Sequence, residues 1–133
     1  MIRAHTQAVL DRLAAHHDLT DAVYEGATVP VGTKAYVTVW ADSGRRHTDR
    51  LAGPSTVAEF TFTVHSVGSQ PEQAQAIAEC VFTQLIDWTP DIPGYAPRRM
   101  RHTATVPTTR DPDGRPPVYY CTDEFTLTTQ PTP

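Results

Sequence analysis

Six histidines and two cysteines are the side chains of this protein that most readily perform chemistry. Cys80 and Cys121 have no second cysteine or histidine at zinc-ligand spacing, and each lies in an apolar pattern. A catalytic cysteine–histidine pair would require the two residues to meet in space, and His102 would need a carboxylate or carbonyl partner if buried. His16 and His17 end a predicted helix, where imidazole suits the negative end of the helix dipole. We therefore expect buried, reduced, structural thiols, no metal site and no cofactor.

Motifs that would support catalysis are absent from the sequence. There is no GxSxG, HExxH, P-loop or GxGxxG, so acyl transfer, zinc-dependent hydrolysis and nucleotide binding lack their usual parts. Asp111 and Asp113 lie among prolines and Gly114, a spacing typical of a turn rather than of a calcium loop. The sequence predicts that the protein is not an enzyme. One alternative stays open, a small enzyme or ligand-binding domain with His102 or Cys121 in a pocket beneath the helices.

Length and composition predict one folded domain. A chain of 133 residues is long enough to bury a core without metals or disulfides, and 39% hydrophobic residues is ordinary for a globular protein. The formal net charge of −4 excludes tight wrapping of nucleic acid by phosphate neutralisation as a main activity. Charged residues interrupt the apolar N-terminal segment, which predicts neither a signal peptide nor a membrane span.

The hydrophobic periodicity predicts six elements in the order αββαββ. They are a helix over 2–17, strands over 35–41 and 58–65, a helix from Ser69 that ends by Trp88, and strands over 98–106 and 118–129. Residues 18–34 are predicted as an irregular connection with a short strand near Tyr24. This order favours an α+β fold, in which two helices cover one face of an antiparallel sheet of about four strands. We expect a single domain over 1–133 whose tail frays from about residue 130.

Two local patterns are especially informative about packing. Phe60 and Phe62 alternate with polar residues, which places them on the buried face of a strand and His65 on the opposite, polar face. Ser69 and Glu72 have the spacing of a capping box, and Pro71 between them suits the first turn of a helix. The apolar stripe of that helix needs a sheet to cover.

The surface offers candidate contacts with partners, because arginine and aromatic residues are enriched at interfaces. The candidates lie in a polar loop over 42–55, on a strand face and at an exposed aromatic position. They are Arg45, Arg46, Arg50, Arg99, Arg101 and Trp40, with Tyr120 as a further exposed aromatic. An ordinary solvated loop and an amphipathic strand face explain the same residues equally well. Both explanations stay open at this point.

Three segments carry a resemblance to a known family. DAVYEGATVPVGTKAYVTVW leads irregularly from the first helix into a strand, and YYCTDEFTLTTQ closes the chain as a long strand. Between them, AEFTFTVHSVGSQPEQAQAIAECVFTQL runs from an alternating strand through a polar turn into an alanine-rich helix. In these features the chain resembles the tail terminator and tail-completion proteins, minor tail proteins of long-tailed bacteriophages. The likeness covers nearly the whole chain, and 58–85 is its most specific part.

The resemblance implies a structural virion protein that caps the tail tube and joins it to the head as a subunit of a ring, commonly a hexamer. It implies a virion location at the head-proximal end of the tail, assembly in the host cytoplasm, and partners among tail-tube and head-connector or neck proteins. The family has no catalytic residues to carry over. The acidic net charge suggests that DNA passes through the lumen without specific binding, and no membrane partner is expected. A head-completion or neck protein is the alternative at the same junction.

Overall fold

The computed structural model describes residues 1–47, 56–113 and 116–133. Within these ranges the chain forms two helices and six strands, which confirms the α+β class. In chain order they are α1 (Ile2–Ala14), β1 (Val23–Glu25), β2 (Tyr36–Ala41), β3 (Arg45–Arg46), β4 (Ala58–Gly68), α2 (Pro71–Leu85), β5 (Arg101–Asp111) and β6 (Val118–Thr129). Neither α1 nor α2 is long and apolar enough to cross a membrane, and these are the helices of the described ranges.

The strands form one sheet in the order β1-β2-β4-β6-β5, and β3 pairs with β4 beyond the end of β2. The expected number of about four strands was too low, because the sheet also includes β1 and β3. β1 confirms the short strand predicted near Tyr24, whereas β3 lies in a segment predicted as a polar loop. The sheet is also mixed rather than antiparallel, since Val23–Glu25 runs parallel to β2. Strands of two or three residues carry no periodic pattern, so only their pairing with β2 and β4 defines them.

The hydrophobic core lies between the helices and one face of the sheet, as the sequence predicts. Phe60 and Phe62 of β4 are fully buried together with Phe125 of β6, which pairs with Phe62 in the sheet. The helices contribute buried side chains to the same core, among them Val9 and Leu13 from α1 and Val81 and Leu85 from α2. The alternation along β4 is therefore confirmed, and it leaves the other face of the sheet without a helix.

The start of α2 differs in detail from the predicted capping box. The N-cap residue is Gln70, which makes no side-chain capping bond, and Pro71 occupies the first turn as expected. Gln73 Oε1 accepts hydrogen bonds from the Ser69 amide at 2.8 Å and from the Ser69 hydroxyl at 3.0 Å. Because the helix begins one residue later than predicted, Gln73 rather than Glu72 faces back across the first turn.

Two predictions for the C-terminal half also differ from the structure. β5 begins at Arg101 instead of 98, continues to Asp111 and contains two register irregularities, so it is an exposed edge strand rather than a regular two-faced one. The tail from 130 was predicted to fray. Instead the Ala96 amide donates to the Gln130 carbonyl at 2.8 Å, and the Thr132 amide donates to the Gly94 carbonyl at 3.0 Å. Proline-rich composition suggested fraying, but the segment after α2 supplies the missing partners.

Candidate protein-binding surface

The sheet face that carries no helix is the candidate surface, and we call it the open face. Alternate residues of β2, β4 and β6 point to it, because side chains of a strand alternate between its two faces. Polar contacts cross from strand to strand here: His65 Nδ1 lies 3.0 Å from Thr122 Oγ1, and the His65 ring meets the Tyr120 ring edge-on with centroids 5.7 Å apart. The prediction that His65 lies opposite Phe60 and Phe62 is thereby confirmed.

At one end of the open face lies an open concavity of about 490 Å³. Its lining comes from five parts of the chain and includes Gly26 after β1, Tyr36 and Trp40 of β2, His65 of β4, Asp111 of β5 and Tyr120 of β6. Trp40 is 48% exposed, unusual for so large an apolar side chain. Such a concave, aromatic surface is suited to binding another protein.

The surroundings of this concavity shift the pKa values of two of its residues. Burial lowers the pKa of His65, which favours the neutral imidazole. Burial also raises the pKa of Tyr36, and the negative charge of nearby Asp111 raises it further. The concavity therefore presents neutral aromatic groups beside one carboxylate, rather than an acid–base pair.

A second candidate surface is the arginine-rich end of the sheet, where β3 pairs with β4. Arg45 lies directly across from Glu59, and both Arg45 and Arg46 are exposed. Arg101 Nη2 approaches Glu59 Oε2 at 3.5 Å, and His47 Nε2 lies 3.4 Å from the same oxygen. Arg45 is thus paired in the sheet with Glu59, but only Arg101 and His47 come within ion-pair distance of the Glu59 carboxylate.

The remaining predicted contact residues are placed separately. Arg99 Nη1 lies 3.9 Å from Asp87 Oδ1 in the turn after α2, and both side chains are largely exposed. Arg50 lies outside the described residues. Trp40 is across from Thr63 near the middle of the sheet and contributes to the concavity. The sequence-predicted set therefore divides between the concavity, the arginine-rich end and the turn at Asp87.

Asp111 was predicted as a turn residue, and Tyr36 lies within the strand predicted over 35–41 but was not named as a contact residue. Their place in the concavity could be foreseen only in part. The alternation in β2 put Tyr36 and Trp40 on one face, but the walls come from the chain around Gly26 and from the β5–β6 hairpin. Neither wall leaves a local signal in the sequence, because each is positioned by long-range strand pairing.

The side chains that suggested catalysis lie mainly on the helix side of the sheet. His102 Nε2 is 3.0 Å from Asp123 Oδ1, and Asp123 is only 3% exposed, so His102 has a buried carboxylate partner although it is itself exposed. Cys121 is buried with its Sγ atom 3.3 Å from Thr108 Oγ1. Cys80 is half-buried rather than fully buried, and burial raises the pKa of its thiol. In the ranges described, neither cysteine makes a hydrogen bond to a histidine.

Two further features contain residues that could bind a ligand or a metal ion, a small cavity and a histidine cluster. A cavity of about 220 Å³ between α2 and β5 is lined in part by Cys121 and Asp123, which is where the alternative ligand-binding interpretation would place its site. His16, His17 and Asp18 offer three metal-ligand atoms within 4.8 Å of one another. However, His16 Nδ1 already accepts the Asp18 amide at 3.1 Å, and the His17 and Asp18 side chains are 85% and 62% exposed.

Comparison with known proteins gives a clear result at the level of fold. No protein-family model matches the chain, and no curated protein matches it. A solved chain from the virion of a native gene transfer agent particle superposes with a TM-score of 0.76, over 97% of this chain and 96% of that one, at 15% identity. A second solved chain gives a TM-score of 0.64 over 98% of this chain and 94% of its own, at 16% identity. The protein therefore shares its whole fold with these two chains.

Proposed function

We propose that this protein is a structural virion protein that caps the tail tube of a phage-like particle and joins the tube to the head, as one subunit of a hexameric ring. The observation that carries the proposal is the shared fold over 97% of the chain with a component of a gene transfer agent virion. The pattern resemblance to tail terminator proteins over nearly the whole sequence points the same way. Its location is the head-proximal end of the tail, reached after assembly in the host cytoplasm.

The surfaces described above are compatible with a role in assembly and give less support to catalysis. The open face combines an aromatic concavity with polar strands, and the opposite end of the sheet carries exposed arginines. The histidine with a buried carboxylate partner, His102, packs its ring edge-on against Phe82, so this packing and its hydrogen bond to Asp123 account for its position. We therefore propose a non-enzymatic role.

The proposed partners are copies of the same chain, the tail-tube protein, and head-connector or neck proteins. DNA passes through the lumen, and the net charge of −4 per chain provides no general attraction for phosphate. A head-completion or neck protein at the same junction is the second candidate, because the shared fold does not distinguish the two ends of the junction. A membrane partner is not proposed.

The arginine-rich end provides a first experiment on this proposal. Replacing Arg45, Arg46 and Arg50 by alanine should weaken ring formation or tail joining without unfolding the domain, because Arg45 and Arg46 are exposed and make no ion pair within the described residues. Size-exclusion chromatography with light scattering measures the result. The wild-type chain should form a species of about six times the 14.7 kDa chain mass, alone or when isolated tail tubes are added.

The same measurement has a clear contrary result. If the wild-type protein neither forms a ring-sized species nor binds tail tubes, the capping role is wrong. If it assembles and the triple variant assembles equally well, the arginines have no part in the contact, although the capping role stands. Circular dichroism of the triple variant serves as the control for folding.

A further inference from the structure

We infer that the ring contact is head-to-tail, with the β3 arginines of one copy bound in the open-face concavity of the next copy and paired there with Asp111. This inference rests on the proposed ring and names the two surfaces that form it. The arginine surface is strand β3, where Arg45 lies on the open-face side across from Glu59 and Arg46 lies on the helix side across from buried Ala58. The receiving concavity consists of Tyr36, Trp40, His65, Asp111 and Tyr120.

The arginine surface carries positive charge that its own chain leaves uncompensated. Both residues are exposed, and within the described part of the chain neither forms an ion pair. The nearest carboxylate by strand pairing, Glu59, is already approached by Arg101 at 3.5 Å and by His47 at 3.4 Å. Arg45 and Arg46 are therefore available to a carboxylate of another molecule.

The receiving concavity has the chemistry that binds a guanidinium group. Planar guanidinium stacks on aromatic faces and pairs with carboxylates, and these two interactions reinforce each other in a partly desolvated site. Tyr36 supplies an aromatic ring close to the Asp111 carboxylate, and Trp40 supplies a second ring four residues further along β2. Asp111 Oδ1 accepts the Asp113 amide at 3.0 Å but has no ion-pair partner among residues 1–47, 56–113 and 116–133.

The β3 arginines cannot reach Asp111 of their own chain. β3 pairs with the Ala58–Glu59 end of β4, whereas Asp111 pairs with Val118, next to the Tyr119–Gly68 pair at the other end of β4. Nine residue steps along β4 separate Glu59 from Gly68, about 30 Å at about 3.3 Å per residue. Two different, complementary surfaces on one chain produce a head-to-tail contact, which is the kind that closes into a ring. A twofold dimer would instead join one surface to itself.

Charge exchange tests the contact on the full-length chain. Asp111→Arg and the double variant Arg45→Glu/Arg46→Glu should each raise the protein concentration needed for half-assembly by about tenfold or more, because like charges would then meet. Combining all three substitutions in one chain should restore assembly, since every contact would again join opposite charges. Light scattering over a concentration series measures the effect.

Two further variants separate the contact from effects on folding. Arg110→Glu is the matched control, because Arg110 is exposed on the same strand but pairs with Tyr119, which packs in the small cluster under α2. It should leave assembly unchanged. Asp111→Asn keeps an acceptor for the Asp113 amide while removing the charge, and it should weaken assembly as well.

The outcomes for this contact and for the ring are distinct. Rescue by the combined variant supports the inference. Two results would overturn the contact while leaving the ring itself intact. Either both charge-reversal variants assemble like the wild type, or their loss of assembly is not rescued when the substitutions are combined. A wild-type protein that never self-associates, even on tail tubes, would overturn both the contact and the proposed function.

Discussion

Gly44 shows how a single residue position supports the core. Its φ angle is +93°, and a Cβ atom at this position would lie 2.5 Å from Phe60 Cε1, closer than real Cβ contacts come. Phe60 is fully buried and belongs to the central strand β4. The chain between β2 and β3 can therefore cross over the Phe60 ring only without a side chain at this point.

Substitution of Gly44 should be much more costly than substitution of a matched glycine. Gly32 has a similar φ of +89°, but a Cβ atom there would have no other atom within 4 Å, so Gly32 isolates the backbone cost alone. We expect Gly44→Ala to lower the free energy of unfolding by about 2–4 kcal/mol and Gly32→Ala by about 1–2 kcal/mol. Urea denaturation measures both, and equal losses would contradict the proposed contact with Phe60.

His5 is a fully buried titratable residue whose hydrogen bonds specify one neutral form. The Met1 carbonyl, 2.7 Å from Nδ1, can only accept, so Nδ1 carries the proton and Nε2 accepts from the Thr129 hydroxyl at 2.9 Å. Burial lowers the pKa of His5, although the bond to Met1 opposes this effect. The pKa of His65 is also lowered by burial.

These lowered pKa values predict destabilisation by mild acid. A histidine in the unfolded chain takes up a proton near its ordinary pKa of 6.5, whereas the folded, buried residue resists protonation. Stability should therefore be complete above about pH 6.5 and decline as the pH falls below it. His5→Gln, which keeps a donor and an acceptor, should reduce the loss in free energy of unfolding between about pH 7.5 and about pH 5. An unchanged loss would show that His5 does not contribute.

At the scale of elements, β4 and α2 were predictable because their periodicity extends over many residues. The alternation around Phe60 and Phe62 defined the buried face of β4, and Pro71 marked the start of α2. The short strand near Tyr24 was predicted, but its parallel pairing with β2 and the existence of β3 were not, since two or three residues carry no periodic signal that would indicate a partner. Long-range pairing likewise builds both walls of the concavity, so Trp40 was foreseen as a contact residue and Asp111 was not.

The C-terminal tail gives a test at this scale. Residues 130–132 make two backbone hydrogen bonds to Gly94 and Ala96, and the intervening Tyr95 packs edge-on against His5 with ring centroids 4.9 Å apart. Deleting 130–133 should lower the free energy of unfolding by about 1–3 kcal/mol, at about 0.5–1.5 kcal/mol for each bond lost. Deleting Pro133 alone is the control. If the longer deletion cost no more than the control, the tail would be frayed in solution, as the sequence first suggested.

At the scale of the whole molecule, the two ends of the open face differ in chemistry. One end is concave and aromatic with the Asp111 carboxylate, and the other carries Arg45 of β3. The proposed ring would use this polarity, because identical copies arranged head-to-tail bring unlike surfaces together.

The central claim is that this protein is part of a phage-like particle and closes the head-proximal end of its tail tube. Cryo-electron microscopy of purified particles from a strain that carries the gene tests it most directly. The account predicts a ring of six copies between the tube and the head, with β3 of each copy against the Trp40 face of the next. Particles with complete head–tail junctions that contain no copy of this chain would contradict it.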